Sequence, residues 1–223
     1  MPHILVVAAT AHEIQPLLDN YSIVHTGEGL FETYLNEKDR LSVLLTGVGM
    51  VNTAYWLGRV SENYYDFVIN AGICGSFQKF HQMGDVLRVF EDQLSEMGAE
   101  DGPVFLRYND MQLGGTSLFK DHPGIYELPA LKSLALARGI TVNTVHGYEP
   151  SIEKTKLLFH PDVESMEGAA FLAGCRRFSN YVQIRAVSNY VEKRDKSKWN
   201  IALAIENLNQ KLLLILEQTF YAD

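Results

Sequence analysis

Residues 4–9, ILVVAA, run without a polar break. A strand with one face in water alternates apolar and polar residues, whereas an unbroken run has to be covered on both faces. Such a strand belongs inside a sheet with helices above and below it. Further strand patterns at 41–45, 66–69, 85–90, 163–165 and 182–187 alternate with helical patterns along the chain. The alternation predicts an α/β fold: one three-layer α/β/α domain with a mixed central sheet, spanning residues 1–223. With 47% apolar and 21% charged residues, the chain has the means to bury a large core. In folds of this kind ligands bind outside the carboxyl ends of the strands. The segments just after the strands are therefore where chemistry is expected.

Local signals set the remaining elements. Thr10 followed by Glu13 forms a capping-box pattern and predicts a helix over 11–19. Strands at 32–36 and 41–45 bracket Glu37-Lys38-Asp39-Arg40, a hairpin turn. Helices are expected at 50–62, 124–138 and 167–178, with a strand at 140–145. Residues 91–124 carry little periodicity and read as long loops. Ser197 is expected to cap a C-terminal helix over 198–220. Its Trp199, Ile201, Leu203, Ile205, Leu208, Leu212 and Ile215 recur at helical spacing, as in a helix packed on the sheet.

Nineteen Lys and Arg against 27 Asp and Glu give a formal net charge of -8. That balance argues against nucleic acid or an anionic membrane as the partner, since both reward basic patches. The first residues lack the basic flank and small-residue cleavage site of a signal peptide. No apolar run approaches membrane-spanning length. A soluble, cytoplasmic protein is expected. Cys74 and Cys175 make no disulfide framework, and the seven histidines show no metal-ligand spacing, so no metal site is expected.

Four segments stand directly after strands and carry groups capable of chemistry. Glu13 is on the first turn after strand one, where an acidic residue also suits the helix dipole. Gly47-Val48-Gly49 and Gly72-Ile73-Cys74-Gly75 read as turns in which glycine lets a ligand approach the backbone. The first is no dinucleotide fingerprint, because Asn52 stands where the third glycine belongs. Residues 164–170, ESMEGAA, cross from a strand into a helix. A carboxylate there can accept from a diol, and Met166 can pack on the apolar face of a sugar. Ser188-Asn189 ends a strand with a neutral amide, which donates and accepts at once. Each segment alone also has an ordinary reading as a turn or helix start.

Together, in order and spacing, the segments resemble the nucleoside phosphorylase and nucleosidase superfamily, in its methylthioadenosine/adenosylhomocysteine nucleosidase branch. The likeness rests on ILVVAATAHEI, TGVGMVNTA, VINAGICGSF with MGDV, and VESMEGAAFLAGC continuing to VQIRAVSNYVEKRD. The middle, about 91–160, matches poorly. SNYVEKRDKSKWNIALAI is similar to the C-terminal signature of the futalosine hydrolases, which remove hypoxanthine from futalosine in a menaquinone pathway.

The resemblance implies a nucleoside phosphorylase-like fold, a homodimer, a purine nucleoside as substrate, and a role for each matched residue. Glu13 matches the carboxylate that activates water. Met166 and Glu167 match the pair on the ribose, and Arg185 an arginine near the water. Cys74 and Gly75 match the purine pocket. Ser188-Asn189 matches a Ser-Asp pair whose acid assists the leaving base. Asn189 is the departure: an amide in place of the acid favours a 6-oxopurine over adenine. A cation or backbone donor is expected near the aromatic carboxylate that futalosine carries beyond its 5′ carbon, with Arg194, Lys193 and a residue of a partner chain as the candidates. An adenine nucleosidase, a phosphorylase and a non-catalytic nucleoside-binding protein are the alternatives left open.

Overall fold

A computed structural model of the chain describes residues 2–34, 40–60 and 65–221. Strand β1 (His3–Ala8) is buried throughout, as its unbroken apolar run requires. It pairs in parallel with β3 (Arg40–Leu45) and β4 (Phe67–Ser76). The outer neighbour of β3 is antiparallel β2 (Gly29–Tyr34). The turn expected between them lies outside the described residues, apart from Arg40.

On the other side of β4 runs parallel β11 (Tyr181–Tyr190), followed by antiparallel β5 (Val86–Leu94), parallel β9 (Ala135–Thr141) and β10 (Val163–Ser165). Strand β10 also pairs with β4, so these five strands close on themselves into a small barrel. Strand β8 (Leu118–Lys120) adds to β5, giving nine strands in one mixed sheet among the described residues. Strands β6 (Gly98–Asp101) and β7 (Val104–Arg107) form a separate hairpin.

Side chains alternate across β1. Ile4, Val6 and Ala8 face α1 (Gln15–Asn20), α3 (Pro129–Lys132) and α6 (Ile201–Phe220). Leu5 and Val7 face α2 (Met50–Gly58) and α5 (Gly168–Cys175). The result is the expected three layers. Each fully buried Leu or Ile in them contributes roughly 1.5–3 kcal/mol.

Several elements depart from the sequence reading. Strand β4 does not stop at residue 69 but continues through Gly72-Ile73-Cys74-Gly75. Gly72 is there for space, since a Cβ would collide with the Arg185 guanidinium. Residues 91–124 are not loop throughout: they also hold the end of β5 with β6, β7 and β8. The helix expected over 124–138 is reduced to a 3-10 turn (Gly124–Tyr126) and α3. Its helix-forming Ala135, Leu136 and Ala137 enter β9 because pairing with β5 outweighs local propensity. Helix α4 (Glu149–Phe159) has no counterpart in the sequence reading; only Ile152 and Thr155 within it are buried, so its apolar stripe is weak. Asn200, not Ser197, caps α6, its Oδ1 accepting from Leu203 N–H at 3.3 Å. Ser197 belongs to a preceding 3-10 turn (Lys196–Lys198) capped by Asp195. Trp199 accordingly falls before the helix.

Candidate active site

The ends of β1, β4, β10 and β11 open into one cavity of about 370 Å³. Seven of the eight singled-out residues line it: Glu13, Cys74, Gly75, Met166, Glu167, Ser188 and Asn189. The eighth, Arg185, does not. It is wholly buried behind the two carboxylates.

Glu13 is held from both sides. Its Oε2 accepts from the Thr10 backbone N–H and hydroxyl, both at 3.1 Å, and its Oε1 accepts from Ile73 N–H at 3.0 Å. The turn carrying it (Ala11–Ile14) is pinned by Asn209 of α6, whose Nδ2 donates to Glu13 O at 2.9 Å and whose Oδ1 accepts from Leu17 N–H at 3.2 Å. Burial pushes the Glu13 carboxyl above its usual range; the Arg185 charge and the Ile73 N–H oppose this, and the nearby Glu167 charge adds to it.

Glu167 stands where β10 turns into α5. Its Oε1 accepts from Gly49 N–H at 3.0 Å, and its Oε2 lies 3.7 Å from Arg185 Nη1. Gly47 and Gly49 both have positive φ, 76° and 101°, which turns the Gly49 N–H toward this carboxylate. A Cβ at Gly47 would collide with the Glu28 carboxylate, so an acidic group stands beside this turn. Arg185 Nη2 donates to Asn70 Oδ1 at 2.5 Å, while Nε and Nη1 have no hydrogen-bond partner among the described residues.

At Asn189 the amide Oδ1 accepts from the Ser188 hydroxyl at 2.9 Å, and Nδ2 donates to Tyr190 O at 3.0 Å. The Ser188 hydroxyl also lies 3.1 Å from Cys74 O, tying β11 to β4. Burial pushes the Cys74 thiol up to about 12, so it contributes shape and not a nucleophile.

Asp92 of β5 supports the turn into α5. The Thr141 hydroxyl donates to its Oδ1 at 2.8 Å and accepts from Ala169 N–H at 2.7 Å, and Gln183 Nε2 donates to its Oδ2 at 3.1 Å. Gly168 leaves room for this cluster. Burial pushes Asp92 from the ordinary 3.8 to about 6. The folded chain thus holds this proton more tightly than the unfolded chain. Ionising Asp92 between about pH 4 and about pH 6 therefore weakens the fold as pH rises, by about 3 kcal/mol. Asp92→Asn removes this loss, and Gln183, whose buried Oε1 is without a partner among the described residues, can turn to accept from the new amide. The expected result, read by thermal melts, is a Tm about 6–12 °C higher at about pH 7.5 and little changed at about pH 4. An unchanged melt at the higher pH would contradict this account.

Sequence reasoning missed three contributors. Asn209 is a polar residue on the apolar stripe of α6, beside Leu208 and Leu212. His146 and Trp199 also line the cavity. His146 comes shortly after β9, and that place past a strand end is the signal that marks it. Of the two cations expected near a substrate carboxylate, Arg194 lines the cavity, its guanidinium 5.1 Å from the Trp199 ring centre. Among the described residues no three His, Cys, Asp or Glu side chains group as a metal site, and no helix is long and apolar enough to cross a membrane.

The chain belongs to the phosphorylase superfamily, whose family model matches residues 3–217. Within it, the chain is 26% identical over 181 residues to a futalosine hydrolase of Thermus thermophilus, covering 78% of this chain and 80% of the relative. It is 29% identical over 174 residues to a futalosine hydrolase of Acidothermus cellulolyticus, covering 74% and 71%. The fold matches that of Helicobacter pylori futalosine hydrolase with a TM-score of 0.82 at 14% identity, over 97% of this chain and 98% of the other. It also matches a methylthioadenosine/adenosylhomocysteine nucleosidase of Colwellia psychrerythraea in complex with adenine, with a TM-score of 0.79 at 20% identity, over 97% and 95%.

Proposed function

We propose that this chain hydrolyses the N-ribosidic bond of futalosine, releasing hypoxanthine and dehypoxanthine futalosine, a step of menaquinone biosynthesis. The observation that carries the reading is the sharing of one cavity by two buried carboxylates and a neutral amide, Glu13, Glu167 and Asn189. The Thermus and Acidothermus relatives both bear the name of this activity.

Breaking an N-ribosidic bond passes through a cationic sugar while electrons flow into the purine. Glu13 orients and deprotonates the attacking water; its raised pKa makes it a stronger base than an exposed glutamate. Glu167 meets the ribose hydroxyls, and its charge favours the cationic sugar. Met166 packs on the sugar, and Cys74 and Gly75 wall the base. Asn189 donates to the base carbonyl and accepts from N7, which water protonates. Arg185 acts as a positioning residue for the two carboxylates. Arg194 over Trp199 is the cation for the carboxylate of the substrate. The reaction runs in a cytoplasmic homodimer and needs no metal or organic cofactor.

Hydrolysis is favoured over phosphorolysis by Glu28 at the Gly47 turn, where an acidic group repels phosphate. The test is chromatographic: incubation with futalosine in phosphate-free buffer is expected to release hypoxanthine, and incubation with methylthioadenosine far less adenine. Release that depends on added phosphate, or of adenine alone, would overturn the assignment.

A further inference from the structure

We infer that Glu164 is the residue that selects the 6-oxopurine, by accepting the N1–H of the base; the inference rests on the cavity being a purine nucleosidase site. Glu164 of β10 and Asn189 of β11 both pair with the same residue of β4, Gly75. The three form a row across the strands. A Cβ on Gly75 would stand 3.0 Å from Val191 Cγ2, 3.2 Å from Asn189 Nδ2 and 3.5 Å from Glu164 Cγ. The glycine thus lets the amide and the carboxylate close in over β4 from either side, and all three residues line the cavity.

The carboxylate is fixed by one residue. His146 N–H donates to Glu164 Oε1 at 3.0 Å, and His146 Nδ1 lies 2.6 Å from Oε2. A carboxylate only accepts, so Nδ1 carries the hydrogen. The far nitrogen, Nε2, is 2.9 Å from the Thr155 hydroxyl of α4, which locks the ring. His146 uses two of the roughly four lone-pair sites on the carboxylate and leaves the others open. Glu164 is 4% exposed, so the carboxylate is held in place and its open acceptor sites are lost to bulk water.

The pair complements a lactam edge. Hypoxanthine presents N1–H beside its C6 carbonyl: the carboxylate takes the hydrogen and the amide meets the oxygen. Adenine presents a lone pair at N1, which would face a fixed acceptor with no hydrogen between them. A site built around such a bond rejects the analogue that lacks the hydrogen, because its own group is left unpaired.

The experiment measures binding of hypoxanthine and adenine to the intact protein and to Glu164→Gln by titration calorimetry. The glutamine amide can donate where the carboxylate can only accept. The expected result is opposite movement: hypoxanthine affinity falls about tenfold, adenine affinity rises, and the preference between them drops by more than tenfold. A merely structural role would weaken both bases together and leave the ratio unchanged, which would overturn the inference. On the unaltered protein, 1-methylhypoxanthine is expected to bind at least about tenfold more weakly than hypoxanthine. Equal binding of the two overturns the role of Glu164 even if the variant does not fold. A protein that releases hypoxanthine from futalosine yet shows that equality retains the proposed function and loses only this residue; one that binds neither base loses both.

Discussion

Glu13→Gln is expected to lower kcat for hypoxanthine release by about three orders of magnitude while KM stays within about threefold. The split comes from the residue's contacts. In the proposed reaction Glu13 acts on water, so ground-state binding of the nucleoside passes through Glu167, Met166 and the base pocket instead. The glutamine keeps most of these contacts. Its oxygen can still accept from Ile73 N–H, which now bonds Oε1 at 3.0 Å, and the Thr10 hydroxyl can rotate to accept from the new amide, so that only the Thr10 N–H loses its acceptor. Stopped turnover in a folded protein that still binds substrate is thus the specific signature. The pH profile of the unaltered protein gives a second reading. Burial raises the Glu13 pKa, so its base form is lost on acidification at a higher pH than for an exposed glutamate. The acid limb of kcat/KM should lie above the ordinary 4.5. Near-normal turnover in Glu13→Gln, or an acid limb below that value, would remove Glu13 from the chemistry.

The strands that carry the site are legible because burial on two faces writes itself into a sequence. An unbroken run such as ILVVAA has few other uses, and Glu13, Glu167 and Asn189 all sit at or just past the carboxyl ends of buried strands. Elements fixed by distant partners are not legible. Ala135, Leu136 and Ala137 favour helix locally, and only their placement beside β5 makes them a strand. Gly72 misleads for a related reason. A glycine after an apolar stretch signals a turn, whereas this one leaves room for a guanidinium 113 residues further along the chain. Arg185 itself lies within an apolar strand, and nothing local shows that it is buried behind the cavity and not inside it. The pairing of Glu164 with His146 is hidden likewise, since the two meet only after β10 aligns with β9.

Arg185→Met is expected to destabilise the fold by about 3–5 kcal/mol, a fall in Tm of about 6–20 °C. Arg185 is 0% exposed and is the cation among three buried carboxylates: its charge lowers the pKa of both Glu13 and Asp92, and its Nη1 lies 3.7 Å from Glu167. A thioether of similar length fills much of the volume but leaves those charges uncompensated in a poorly polarisable interior. Glu13 and Asp92 respond by holding their protons more tightly. Glu13, already raised, moves further up, so the acid limb of kcat/KM shifts to higher pH and less of the enzyme carries the base at neutrality. Arg185→Lys separates charge from shape. An ammonium restores the compensation but not the planar fork that lets Nη2 reach Asn70 Oδ1 at 2.5 Å. The lysine variant is therefore expected to recover the position of the acid limb while regaining only part of the lost Tm. If both variants melted alike and shared one pH profile, Arg185 would be a packing residue, and the ionisation of Glu13 would need another source of control.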